Sequence, residues 1–375
     1  MPQNCQKSSV LGLVSHYLYN ERLALISPIF QNGKPNLWPA FRRRPGRAVP
    51  HFNLVLIGQN GRLEFEVILF LASLRANSPK FEGRVFIAEP RPNQAWTMNP
   101  MIRSQHTRDL IAELGAEFIA FDNKIFGESY PYGNKIECLK AIPNDKPFLF
   151  FDSDTLILDE LCDVPFDFSR PTASLRRTAT WPQPLGPGHH YADIWKDCYD
   201  ICGVDYTSSL DEQFSAQDWR RYLYFNASFF FYESPTKFGA RFLEFAQKIK
   251  NSTRPRITRQ SLDPWLDQVV LPMVIHSFGG GRHTLARGWL DAKTSCHYRR
   301  IPLLYAREDD RVITTLEKLA NQAHIRARLS QHPAFQRMIY QKQGRRLRGM
   351  IDRSHQPTSE VALYNKLKAL GYWIR

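Results

Sequence analysis

The sequence predicts an α/β protein whose mixed, mostly parallel sheet is flanked by helices. Three observations predict it. Short apolar runs (FNLVLI, GRVFIA, AEFIAF) alternate with stretches of helical periodicity between His51 and Leu158. Glycine and Asn-Gly signals fall between the runs, as strand and helix boundaries require. The most apolar run, PFLFFDSDTLIL at Pro147–Leu158, carries two carboxylates, Asp152 and Asp154, directly behind four large apolar residues. In open α/β sheets, ligand-facing residues stand at the carboxyl ends of the strands.

The elements follow in order. Val10–Ile26 is expected to be a helix, and Pro28–Pro50, rich in Pro and Arg, a loop or arm. Residues 1–50 therefore form an N-terminal appendage. Phe52–Ile57 is the first strand and ends at Gly58. Leu63–Ala76 is a helix, Gly83–Ala88 a strand, Met101–Leu114 a helix stopped by Gly115, and Ala116–Phe121 a strand. Tyr132–Ile142 is a short helix, and a buried strand that ends in the two carboxylates of Asp152-Ser153-Asp154 follows, with another apolar run behind it. Beyond it, Thr172–Arg176 is a short strand, Trp181–Gly188 a loop and Tyr191–Ile201 a helix. Arg221–Tyr232 is an aromatic strand. Thr236–Lys250 and Leu262–Ile275 are helices, the latter confined by Pro264 and Pro272. Short strands are expected at Thr284–Leu290 and Ser295–Leu303. The division is an appendage (1–50), an α/β domain (51–310) and a basic helical extension (311–375).

Composition narrows the class. With 375 residues, 43% of them hydrophobic, and 25 Phe, 15 Tyr and 8 Trp, the chain can bury a large core. The longest strongly apolar stretch, Val67–Leu74, is too short to span a bilayer. The first residues lack a basic start, apolar core and small-residue cleavage site, so no secretory signal is expected. The six cysteines (5, 138, 162, 198, 202 and 296) are scattered, with Cys198 and Cys202 one helical turn apart. They read as buried free thiols in a reducing cytoplasm. Of the net charge of +14, most lies after residue 310, where 13 Lys or Arg face only Glu317, Asp352 and Glu360.

The Asp152-Ser153-Asp154 triplet has its own chemistry. On extended backbone, side chains at i and i+2 point to one side. Two adjacent carboxylates repel unless a cation or proton lies between them. A divalent hard ion such as Mn²⁺ or Mg²⁺ accepts carboxylate and phosphate oxygens together, and so can bridge such a pair to a diphosphate. An acidic pair can also simply cap a strand or helix.

Four blocks take the reading further: Asn134-Lys135-Ile136-Glu137-Cys138-Leu139, then FFDSDTLIL, then Tyr224-Phe225-Asn226-Ala227, then Asp267-Gln268 with His297 thirty residues on. In that order, over about 51–305, the chain resembles the metal-dependent GT-A glycosyltransferases, most closely glycosyltransferase family 8. The resemblance implies a Rossmann-like nucleotide-diphospho-sugar transferase fold. It implies a hexose moved from a nucleoside diphosphate sugar, UDP by family default, to an acceptor hydroxyl, with retention. Asp152, Asp154 and His297 would hold the metal, with His276 and His283 rivals for the histidine role. Asp152 and Ser153 would also meet the donor. Lys135 would reach the donor phosphate or sugar. Asn226 and Ala227 would hold the donor sugar, although Ser228 stands where the family carries Gly. Asp267 and Gln268 would be the catalytic pair, close to the anomeric carbon. The first strand, LVLIGQNGRLEF, lacks the family's acidic and Tyr positions for gripping the base.

Taken singly, each of these residues has an ordinary reading: a strand histidine, a solvated helix lysine, a core strand, a helix-surface acid and amide. Two rival readings stand beside the transferase. A haloacid dehalogenase-like phosphatase also sets DxD after an apolar strand, but wants Thr or Val where this chain has Leu156, and on the first strand. The other rival is a non-catalytic scaffold that binds a nucleotide sugar. The acceptor is expected to be a glycan or a lipid-linked precursor. The basic segment 311–375 could contact anionic lipid at the inner membrane face, whereas nucleic acid is disfavoured because no recognition module accompanies the charge.

Overall fold

The computed structural model describes residues 51–176, 181–183, 190–352 and 360–374. The expected helix at Val10–Ile26, the Pro/Arg-rich arm, Cys5 and His189 lie outside them. The described residues belong to one compact unit, Val49–Arg375.

The elements are β1 (Asn53–Ile57), α1 (Arg62–Asn77), β2 (Val85–Pro90), α2 (Gln105–Glu113), β3 (Glu117–Phe121), α3 (Asn134–Glu137), β4 (Phe148–Phe151), β5 (Thr155–Ile157), β6 (Thr172–Ser174), α4 (Tyr191–Cys202), β7 (Asn226–Tyr232), α5 (Pro235–Lys250), α6 (Pro255–Thr258), α7 (Leu266–Ser277), β8 (Ser295–His297), α8 (Ile301–Arg307), α9 (Asp310–Ala320), α10 (Ala323–Leu329), α11 (Pro333–Phe335), α12 (Gln343–Met350) and α13 (Glu360–Ala369). Six strands form a sheet in the order β3-β2-β1-β4-β7-β6. The first four are parallel, and β7 runs antiparallel to both β4 and β6. A separate two-stranded sheet pairs β5 with β8. This is the mixed, mostly parallel sheet flanked by helices that the sequence predicts.

Alternation along the central strands divides the core. Leu54, Leu56, Leu149, Phe151, Phe229 and Phe231 face one layer, with α1 and the C-terminal helices. Val55, Ile57, Phe148, Phe150, Phe230 and Tyr232 face the other, with α4, α5 and α7. Both faces being covered, the strands read as continuous apolar runs rather than alternating ones.

Several boundaries differ from the sequence reading. The strand ahead of the carboxylates ends where the sequence places it, but the apolar run behind them belongs to another sheet. β4 ends at Phe151, the chain bends through Ser153-Asp154, and β5 leaves for the second sheet. The carboxylates therefore lie at a junction rather than along an extended strand. The second helix begins at Gln105, because the Ser104 side chain accepts from the Thr107 N–H and caps it. Only Asn226–Tyr232 of the aromatic run joins the ladder. No strand forms at 284–290. Gly288, at φ +87°, instead leads into a wide helical turn at Trp289–Lys293. The run IPLLYA forms α8, not a strand. Pro302 fits the first helical turn, where a missing N–H costs nothing, and burial on all sides explains why the run lacks a polar face.

The C-terminal helices add Val312, Ile313, Leu316, Leu329, Leu347, Leu363 and Leu367 to the α1-side core. Part of the basic charge there is turned inward. Arg348 is buried and donates to the carbonyls of Tyr305 and Glu308 and to Asp310. Arg345 chelates Glu317, and Arg328 donates to Ser104 and Thr107. The described cysteines, 138, 162, 198, 202 and 296, are buried and free. No described helix is long and apolar enough to cross a membrane.

Candidate active site

Backbone pairing assembles the site. The β4–β7 ladder continues past the end of β4, with Asp152 N–H donating to Ser228 O at 2.8 Å. One residue into β5, Thr155 pairs with His297 of β8, and Tyr298 N–H donates to Asp154 O at 2.9 Å. The small sheet thus brings His297 against a turn more than a hundred residues earlier in the chain.

His297 Nε2 lies 3.1 Å from Asp154 Oδ1 and 3.9 Å from Asp152 Oδ2. One ligand atom from each of the three residues lies within 4.8 Å of the others, and this is the group of three such residues found among the described ones. Two carboxylates and an imidazole nitrogen facing one point are a donor set suited to Mn²⁺ or Mg²⁺. His276 and His283 are elsewhere. His276 meets Ser208 at the far end of α7, and His283 is an exposed turn residue.

Burial would raise the Asp154 carboxyl pKa, but His297, Arg62 and Arg299 outweigh it and hold the group far below the usual carboxylate range. Behind the turn, Ser153 Oγ donates to Glu66 Oε2 at 3.0 Å. Glu66 is buried on α1, and burial with Asp154 nearby pushes it up to about 8 against the opposing pull of Arg62, with which it is paired. Arg62 also reaches within 3.5 Å of Asp154 Oδ2.

Lys135, buried at the start of α3, joins several of the predicted residues. Its Nζ stands 2.8 Å from Asp152 Oδ1 and 3.3 Å from Asp267 Oδ2, and it donates to Ala227 O at 3.2 Å. Burial would lower its pKa, but the two carboxylates reverse that and keep it charged. Asp267, in the first turn of α7, is buried, and its carboxyl is raised by burial despite Lys135. Tyr130 donates its hydroxyl to Asp267 Oδ1 at 2.9 Å while accepting from the Asp267 N–H. Gln268 accepts from the Tyr224 hydroxyl at 2.8 Å. Asn226, at the head of β7, accepts the Ser228 N–H. The sequence-predicted residues therefore fall in two linked groups. Asp152, Asp154, His297, Lys135, Ala227 and Asp267 are joined by direct contacts, with Ser153 turned back to Glu66. Asn226 and Gln268 are sequence neighbours of Ala227 and Asp267, and bond to Ser228 and Tyr224.

Residues 54–279 match the profile of the Rhodobacterales glycosyltransferase domain, well over half of the chain. The chain belongs to that family. Every predicted site residue except His297 falls within the match. A comparison with curated protein sequences finds no match. Similar solved structures include the galactosyltransferase LgtC with donor and acceptor sugar analogues (15% identity, covering 60% of this chain and 70% of that one, TM-score 0.36). They also include the bifunctional glycosyltransferase WbbM (13% identity, 76% of this chain and 52% of that one, TM-score 0.38) and mouse xyloside xylosyltransferase 1 (12% identity, 65% and 90%, TM-score 0.35). These likenesses are remote. The family membership is what makes the protein a glycosyltransferase.

Sequence reasoning missed Arg62, Glu66 and Tyr130, and singled out Tyr224 only as part of its block, with no role of its own. Glu66 carries a signal: it is an acid inside FEVILFL, a helix with buried residues on every side, four residues from a basic partner. Tyr130 reaches Asp267 through its hydroxyl from far away in the sequence, which no local pattern marks.

Proposed function

We propose that this glycosyltransferase moves a hexosyl group from a nucleoside diphosphate sugar, with UDP the first candidate, to an acceptor hydroxyl, and that it uses Mn²⁺ or Mg²⁺. The observation that carries the proposal is the convergence of Asp152, Asp154 and His297 beside the carboxyl end of β4. A divalent ion held there would screen the diphosphate and stabilise its departure.

The chain's own residues take the remaining roles. Lys135 neutralises Asp152 and Asp267 and fixes their orientation, leaving the second oxygen of Asp152 toward His297. Tyr130 and Lys135 hold Asp267, and Tyr224 holds the Gln268 amide. Positioned acceptor groups near an anomeric carbon stabilise the positive charge that develops there. We assign that role to Gln268 and Asp267, with transfer by retention. Asn226, Ala227 and Ser153 shape the donor pocket. The acceptor is a glycan or its lipid-linked precursor. Lys342, Arg346, Lys366 and Lys368 are exposed and supply the charge for contact with an anionic membrane surface.

Incubating the protein with a panel of UDP-hexoses and following UDP release, with Mn²⁺ and then with excess EDTA, tests the proposal. Release that needs the metal and is lost in Asp152→Asn supports it. The anomeric configuration of the product, read by NMR, decides retention. Release unaffected by EDTA would overturn the metal assignment.

A further inference from the structure

Arg299 occupies an unusual place. It follows His297 by two residues and has φ +64°, the left-handed region that a side chain with a Cβ adopts only where its surroundings enforce it. Contacts of both its backbone and its side chain hold it. Its carbonyl accepts from Arg62 Nη1 at 3.5 Å, and Arg62 in turn reaches Asp154. Its guanidinium donates to Glu360 at the start of α13. Glu360 is shared with Arg307, whose Nη1 lies 2.6 Å from its other oxygen. Arg307 also pairs with Glu308 at 2.7 Å, and Glu308 takes Arg176 at 3.1 Å. One C-terminal carboxylate thus closes a chain of charges that runs from the tail of β6 to the turn behind the metal cluster.

We propose that Glu360 is a positioning residue of the metal site, holding the Arg299 guanidinium away from Asp154 so that the carboxylates stay open to a divalent cation. This deepens the proposed function and rests on its assignment of Asp152, Asp154 and His297 to the metal. Three arginines, 62, 299 and 300, stand near Asp154, and Asp154 feels Arg299 electrostatically. A guanidinium released from Glu360 would be drawn by the Asp154 carboxylate, whose field it already feels, and would compete there with the cation. Glu360 is one of only three acids after residue 310. On this reading α13 is a working part of the site rather than an appendage to it.

The test is titration of Mn²⁺ alone, by calorimetry, into the full-length wild type, Glu360→Gln, Arg299→Met and the double variant, each checked first for its unfolding temperature. Gln keeps the size and one acceptor oxygen, and removes the charge together with the second acceptor, so only one of the two arginines stays bonded. Glu360→Gln is expected to bind Mn²⁺ about tenfold more weakly, the low end of what losing a residue behind a metal ligand costs. Adding Arg299→Met should return the affinity to near the wild-type value, because the competing cation is gone. A strut without this role would give wild-type Mn²⁺ affinity in Glu360→Gln, and a double variant that binds no better than Glu360→Gln would equally overturn the inference while leaving the metal site intact. A wild type that binds no Mn²⁺ would remove the metal assignment itself, and the inference with it.

Discussion

The ammonium of Lys135 stands 2.8 Å from a carboxylate oxygen of Asp152, both held at the end of the central strand β4. The same ammonium reaches Asp267 at 3.3 Å. Removing one partner of a buried ion pair leaves uncompensated charge and costs about 3–5 kcal/mol. Lys135→Met should destabilise the protein by an amount of that order, read as a lower urea midpoint, and should abolish transfer. Adding Asp267→Asn should recover part of the stability and none of the activity. An unchanged midpoint in Lys135→Met would contradict the buried-bridge account.

Phe230 is the hub of the core on the α5 side. Its ring stacks on Phe150 at 4.7 Å and Phe238 at 5.3 Å, and meets Phe148 and Phe242 edge-on. Phe230→Ala leaves a cavity beneath β4 and β7, and such truncations cost about 3–5 kcal/mol. Equilibrium unfolding should show that loss. Phe230→Leu should cost markedly less.

His276 links stability to pH. It is half-buried, its Nε2 lies 2.8 Å from Ser208 Oγ, and burial lowers its pKa against the opposing effect of Asp205. A lowered folded-state pKa means the unfolded chain takes up the proton first. The associated stability is full above the unfolded value, roughly 6.5, and is lost as pH falls through the folded value. The unfolding temperature of the wild type should therefore fall more steeply from pH 7 to 5 than that of His276→Gln. Parallel curves would refute the linkage.

Gln268 depends on Tyr224 for its orientation, through a 2.8 Å hydrogen bond. Gln268→Ala is expected to lower kcat by roughly 10²-fold, the scale for losing one stabilising group at the reacting centre, with little change in donor KM. Tyr224→Phe keeps the ring and loses only the hydroxyl, and should give a smaller drop of the same kind. An effect confined to KM would move Gln268 from chemistry to donor binding.

The sheet and its helices were legible because each rests on a local pattern, whereas the contact of Lys135 with Asp152 was not. Apolar runs marked β1 to β4, and motif order marked Lys135, Asp152 and Asp267. What was not legible depends on long-range pairing. The strand that ends in the DSD carboxylates was legible, but not that the bend at Ser153 sends the next apolar run into a second sheet that delivers His297. The end of the Ser295–Leu303 run reads as strand although Ile301–Leu303 open α8, because a helix buried on all sides has no polar face. The basic tail reads as a surface because composition does not reveal that Arg348 is buried against carbonyls or that Arg345 chelates Glu317.

The most direct test of the central claim is thermal unfolding with UDP, with Mn²⁺ and with both, on the wild type and Asp154→Asn. A ligand that binds only the folded state at a hundred times its Kd adds about 2.7 kcal/mol of stability. The account predicts a clear rise in unfolding temperature with both ligands together, little with either alone, and none in Asp154→Asn. The same rise in Asp154→Asn, or no rise with UDP or any other nucleoside diphosphate in the presence of Mn²⁺, would contradict it.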